Sequence, residues 1–109
     1  MSDTDVEFHA VADASEVADG EVIQVSVGRT DIAVFKLDGD YYATDDICTH
    51  AYASLADGYV EDGQIECPLH GACFDIKTGK ALTAPANVDL RTFPVKIEGD
   101  KVLVGVPTE

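Results

Sequence analysis

The sequence predicts an all-β domain, and three observations carry that prediction. Short apolar runs recur every eight to twelve residues, turn dipeptides built on Asp and Gly fall between them, and hardly any stretch has a helical period. Val6 to Val11 reads as the first strand and Val22 to Val27 as the second, while ADASEVADG between them has room for one helical turn at most. Ile32 to Leu37 and Tyr41 to Thr44 flank Asp38-Gly39-Asp40, a hairpin signal, because Asp and Gly accept the positive φ that tight turns require. Tyr59 to Glu61 and Gln64 to Glu66 flank Asp62-Gly63 in the same way. Phe74 to Lys77 and Lys80 to Thr83 flank Thr78-Gly79, and Thr92 to Glu98 and Lys101 to Val106 flank Gly99-Asp100, so the chain reads as a series of hairpins. Ala84-Pro85-Ala86-Asn87 is a stiff connection, since proline fixes φ.

Size and composition exclude several function classes. A chain of 109 residues accommodates one domain, so a separate catalytic domain has to be on another chain. Apolar residues make up 46% and charged residues 26%, a globular balance, and no apolar run is long enough to span a membrane. The start, MSDTDVEFHA, is acidic and lacks the basic and apolar segments of a signal peptide, which places the expected location in the cytoplasm, a reducing compartment. The three cysteines are accordingly not expected to form structural disulfides. Seven Lys and Arg against 21 Asp and Glu give a formal charge of -14, which repels nucleic acid and anionic lipid and steers the protein toward basic protein surfaces. The same charge also reads simply as solubility, or as the mark of a salty habitat.

Two loops carry the chemistry. Cys48-Thr49-His50 follows the strand that ends near Asp45, and Cys67-Pro68-Leu69-His70 follows the strand that ends at Glu66, with sixteen residues between the two motifs. Thiolate and neutral imidazole are the best protein ligands for borderline-soft metals, so four of them in a reducing compartment point to zinc or to iron and sulfide. Zinc fingers take two Cys from one knuckle and two His from a helix, whereas here each loop supplies one of each. With two metals side by side, each loop can place its Cys on one and its His on the other.

C-T-H followed by C-P-L-H-G resembles the fingerprint of Rieske two-iron two-sulfur centres, in which two His replace two Cys on one iron. FKLDGDYYATDDICTH, GACFDIKTGKAL and RTFPVKIEGDKVLV extend the likeness over nearly the whole chain, to the Rieske-type ferredoxins of bacterial aromatic-ring dioxygenase systems. The resemblance implies a Rieske fold of antiparallel sheets, with a base domain formed by residues 1–45 and 85–109 and an inserted cluster-binding subdomain of about residues 46–84. It implies one cluster, its inner iron on Cys48 and Cys67 and its outer iron on His50 and His70. It also implies a monomeric cytoplasmic electron carrier that binds no nucleic acid or membrane. Its partners would be an NAD(P)H-dependent flavoprotein ferredoxin reductase and a terminal oxygenase of aromatic hydrocarbon catabolism, docking near His50 and His70. Two thiolates cancel the +2 of two ferric ions and two sulfides, so such a centre starts neutral and is easier to reduce than an all-thiolate one. With no open coordination position, it transfers electrons rather than catalyses.

Departures from the high-potential members narrow the type. Their extra loop cysteines fall at Ala53 and Leu69 here, and the Ser and Tyr hydroxyls after their second His fall at Ala72 and Phe74. With fewer donors to stabilise an added electron, the centre belongs at the low end of the Rieske range. Cys73 reads as a small buried or half-buried filler, His9 as a surface or edge histidine, and Asp45-Asp46 and Glu61-Asp62 as solvated turn carboxylates. Pro85, by resemblance, belongs to a loop covering one side of the cluster. The sequence contains no glycine-rich phosphate loop, and it lacks the length and histidines for the two-His, one-carboxylate iron site of terminal oxygenases. Two alternatives stand beside the ferredoxin reading: a Rieske-like small subunit of an assimilatory nitrite reductase, and a structural zinc-binding module.

Overall fold

The computed structural model of the chain describes residues 6–48, 53–68, 71–83 and 88–107. Among the described residues, ten strands form three antiparallel sheets. They are β1 (Val6–Asp13), β2 (Val22–Val27), β3 (Thr30–Leu37), β4 (Asp40–Asp45), β5 (Tyr59–Glu61), β6 (Gln64–Glu66), β7 (Cys73–Asp75), β8 (Thr92–Phe93), β9 (Val95–Glu98) and β10 (Lys101–Pro107). The sheet orders are β1-β10-β9, β2-β3-β4-β8 and β5-β6-β7. Two 3-10 turns interrupt the strands; Ala14–Glu16 is the helical turn expected in ADASEVADG, and Leu55–Asp57 was not foreseen.

The hairpins form where turn chemistry placed them. Asp38 and Gly39 have φ of 52° and 87°, Asp62 and Gly63 of 56° and 76°, and both pairs of positive values suit the right-handed twist of the strands they join. Two elements differ from expectation. The expected strand Thr92 to Glu98 is cut at Pro94, which has no N–H to give a ladder; Phe93 pairs with Ala43 in the four-stranded sheet, while Val95 pairs with Val104 in another. Pro94 keeps its carbonyl bonded, to the Gly105 N–H at 2.8 Å. The hairpin expected about Thr78-Gly79 is reduced to a turn, with Phe74 and Ala81 forming an isolated bridge in place of a second strand.

β3 is the wall shared by two cores. Successive side chains of a strand point to opposite faces, and here both faces are covered. Ile32 and Val34 pack with Val102, Val104 and Phe93 under the sheet of β1, β9 and β10. Ala33 and Phe35 pack with Leu55, Ile65, Phe74 and Ile76, beneath the β5-β6-β7 sheet. Each fully buried aliphatic or aromatic chain contributes about 1.5–3 kcal/mol of apolar burial, so β3 fixes both layers at once. Among the described residues, no helix is long and apolar enough to cross a membrane.

Candidate metal centre

The described residues that close the two cysteine loops are arranged alike. Past β4 the chain turns back at an isolated bridge between Ile47 and Ser54, and the Cys48 N–H donates to the Ala53 carbonyl at 3.0 Å. Past β6 the Cys67 N–H donates to the Ala72 carbonyl at 2.7 Å, and Glu66 pairs with Cys73. Each cysteine thus closes its loop on the carbonyl of an alanine five residues ahead. Both belong to the same buried cluster, with Leu55, Ala72 and Phe74, and they are only 3% and 1% exposed. No disulfide joins Cys48, Cys67 and Cys73 to one another. His50 and His70 lie outside the described residues, as do Tyr52, Leu69 and Pro85.

This arrangement fits a metal cluster. A thiolate in a dry apolar wall is costly alone, and the charge of a metal offsets that cost. Two matched loops converge on one apolar cluster, each with its cysteine at the closing bond and only an alanine opposite, so the local structure presents thiols while keeping water away.

The root of the first loop corrects one sequence reading. Asp45 and Asp46 are not a pair of solvated turn carboxylates, because neighbouring residues of an extended chain face opposite ways. Asp46 points inward and is 0% exposed. Its Oδ2 accepts from Gln24 Nε2 and from Ser54 Oγ, both at 2.6 Å, and its Oδ1 accepts from the Ala56 N–H at 3.0 Å. Asp45 points outward to Arg91, whose Nε and Nη2 donate to its two oxygens at 2.9 and 2.8 Å. The hydrogen bonds from Arg91 to Asp45 hold the guanidinium pKa above its ordinary value, against partial burial. Local sequence offered no signal for Asp46, since its partner Gln24 is 22 residues away and invisible to local pattern.

The second loop rests on close backbone packing. A Cβ on Gly58 would overlap the carbonyl oxygen of Glu66, the residue before Cys67. Gly71, with φ of 71°, takes a conformation that only glycine adopts readily, one residue before Ala72. Cys73 is half-buried; its N–H donates to Thr83 Oγ1 at 2.9 Å and its carbonyl accepts from the Leu82 N–H at 2.8 Å, in line with a structural filler. Beyond it the Ala81 N–H donates to Asp89 Oδ1 at 2.9 Å, which closes the connection containing Pro85. His9 is a surface residue 3.9 Å from Glu7, and Glu61 and Asp62 are solvated turn carboxylates, all as expected.

An all-β scaffold of three antiparallel sheets, with one buried thiol at the root of each of two loops, is the class of small domain that can enclose a metal cluster. The match of residues 7–94 to the Rieske [2Fe-2S] domain shows that the chain belongs to that family. It therefore holds one Rieske two-iron two-sulfur cluster and is a one-electron carrier rather than a catalyst. The ferredoxin component of the naphthalene 1,2-dioxygenase system of Pseudomonas putida is 46% identical over 90 residues, covering 83% of this chain and 86% of that protein. The Sphingomonas yanoikuyae B1 ferredoxin superposes with a TM-score of 0.87 at 38% identity, covering 93% of this chain and all of the other. A ferredoxin in complex with the oxygenase of carbazole 1,9a-dioxygenase also superposes with a TM-score of 0.87, at 35% identity, covering 94% of this chain and 95% of its own.

Proposed function

We propose that this chain is the ferredoxin component of an aromatic-ring dioxygenase system. It receives electrons one at a time from an NAD(P)H-dependent flavoprotein reductase and delivers them to a terminal oxygenase. The observation that carries this is the matched pair of loops, each closing on a buried cysteine within one apolar cluster; the naphthalene and carbazole relatives supply the system. Cys48 and Cys67 bind the inner iron and His50 and His70 the outer one, in a cluster-binding subdomain of about residues 46–84 inserted in a base of 1–45 and 85–109. When bound, the cluster supplies a reversible one-electron redox couple. The protein keeps the two thiols dry, and the imidazoles, which tolerate water, form the tip where partners dock. Reductase and oxygenase use that tip in turn, and the protein works as a monomer in the cytoplasm, where its thiols stay reduced.

The test is ligand replacement. Cluster binding is coupled to the folding of its loops, so His50→Ala and Cys67→Ala each lose the red-brown colour and the electron paramagnetic signal of the reduced protein, while the outer hairpins persist. Retention of the full Rieske spectrum by either variant excludes the assigned ligation. Wild-type protein that purifies colourless with bound zinc excludes the ferredoxin reading in favour of a zinc module. Against a nitrite reductase small subunit stand the four intact ligand residues.

A further inference from the structure

We propose that Asp46 is the positioning residue of the metal centre, its buried carboxylate fixing the first ligand loop and its charge lowering the reduction potential. Burying a carboxylate is unfavourable unless hydrogen bonds replace its water, and here three donors converge on it. Gln24 comes from β2, Ser54 and Ala56 from the returning arm of the loop. Its backbone completes the junction: the N–H donates to the Asp31 carbonyl at 3.0 Å and the carbonyl accepts from the Leu55 N–H at 2.7 Å. Five hydrogen bonds therefore tie β2, β3 and both arms of the loop to one residue. Only Ile47 separates it from Cys48.

Two consequences follow from that placement. The loop cannot shift relative to the four-stranded sheet without breaking bonds to a buried charge, so the position of Cys48 is set by β2 and β3 rather than by the loop itself. In addition, among the described residues no Lys, Arg or His side chain pairs with Asp46. Its negative charge, held in a low-dielectric interior near the centre, opposes the arrival of an electron. A residue that only filled space would do neither.

The inference rests on Cys48 being a ligand, and the experiment separates the two claims. Asp46→Asn, Asp46→Ala and Cys48→Ala are prepared as full chains, and iron and sulfide content, the electron paramagnetic spectrum and the reduction potential are measured at one pH. In Asp46→Asn the Gln24 amide can turn its oxygen inward and the Ser54 hydroxyl can accept, so the loop stays in place without the charge. The expected result is a cluster content near that of the wild type and a higher reduction potential. Asp46→Ala leaves three donors unsatisfied, and its cluster content falls several-fold with broadened paramagnetic lines. Should Asp46→Ala fail to fold, Gln24→Ala, which breaks the tie to β2, is read in its place: a fall in cluster content supports the positioning role and wild-type content overturns it. With the cluster lost in Cys48→Ala, wild-type cluster content and an unchanged spectrum in Asp46→Ala overturn the positioning role, an unchanged or lowered potential in Asp46→Asn overturns the charge effect, and both results leave the ligand assignment standing. A full cluster in Cys48→Ala overturns the ligand assignment and this inference with it.

Discussion

Asp45 and Arg91 are 46 positions apart, yet five hydrogen bonds join them. The Asp45 N–H donates to the Arg91 carbonyl at 3.0 Å, the Arg91 N–H donates back to Asp45 Oδ2 at 3.2 Å, and the guanidinium grips both carboxylate oxygens. The pair closes the neck of everything between β4 and β8, including both cysteine loops.

Arg91→Ala should accordingly loosen that neck without touching a ligand. The Arg91 side chain is 62% exposed, so solvent screening holds the worth of the pair to about 0.5–1 kcal/mol. Thermal unfolding of the loaded protein should fall by roughly 4 °C, with an unchanged paramagnetic spectrum. Arg91→Lys should recover little, because an ammonium cannot form the two-point contact. The effect should be flat across neutral pH. A base whose pKa is raised on folding keeps its full contribution at every pH below its unfolded value, far above neutrality for a guanidinium, and loses it only as the pH rises through the folded one. A melting temperature for Arg91→Ala equal to that of the wild type would show the neck to be held by its backbone bonds alone.

Gly58 and Gly63 should separate crowding from backbone strain. Gly58 has an ordinary φ of -90° but no room for a Cβ beside the Glu66 carbonyl, whereas Gly63, at a φ of 76°, has nothing within 4 Å. Gly58→Ala has to push Glu66, and with it Cys67, at a cost of about 1–3 kcal/mol. Its cluster content should drop. Gly63→Ala costs about 1 kcal/mol of left-handed strain at a hairpin tip and should load as the wild type does. Iron content per chain measures both, and full loading of Gly58→Ala would show that the second loop tolerates displacement.

Local chemistry was legible in the sequence, and long-range partnership was not. Asp38-Gly39 and Asp62-Gly63 make their turns from two residues each, so the hairpins around them could be read directly. The two Cys/His motifs carried their own spacing and named the family. The pairing of β1 with β10, and of β8 with β4, depends on which apolar faces the tertiary structure brings together. The sheet switch at Pro94 needed only the missing N–H to be weighed against a continuous apolar run. The inward turn of Asp46 depends on Gln24, and nothing near Asp46 in sequence marks it as different from Asp45.

The acidic composition should make stability depend on salt. A formal charge of -14 on 109 residues repels itself in the compact state, and the screening length falls from about 30 Å at 0.01 M salt to about 3 Å at 1 M. The melting temperature should therefore rise with sodium chloride over that range. Each 1 kcal/mol gained corresponds to about 4–8 °C. A flat or falling melting temperature would show that the acidic charges are spaced too widely to oppose folding.

The last prediction concerns the reduction potential and the hydroxyls absent from positions 72 and 74. Ala72 and Phe74 are both fully buried in the cluster of side chains that contains Cys48 and Cys67, and the Ala72 carbonyl already accepts the Cys67 N–H. Both side chains share that apolar cluster with the two thiols, so an added hydroxyl can bond to sulfur, and does so best when the sulfur carries more negative charge. Ala72→Ser and Phe74→Tyr should each raise the potential. A charge-assisted hydrogen bond is worth roughly 1.5–3 kcal/mol, but only the difference between the two redox states counts, on the order of 1 kcal/mol. For one electron that is about 40 mV. The titration is run at one fixed pH, so that proton uptake does not mask the shift. An Ala72→Ser variant whose hydroxyl is seen bonded to sulfur in a crystal structure, with an unchanged or lower potential, would refute the hydrogen-bond account of why this centre belongs at the low end.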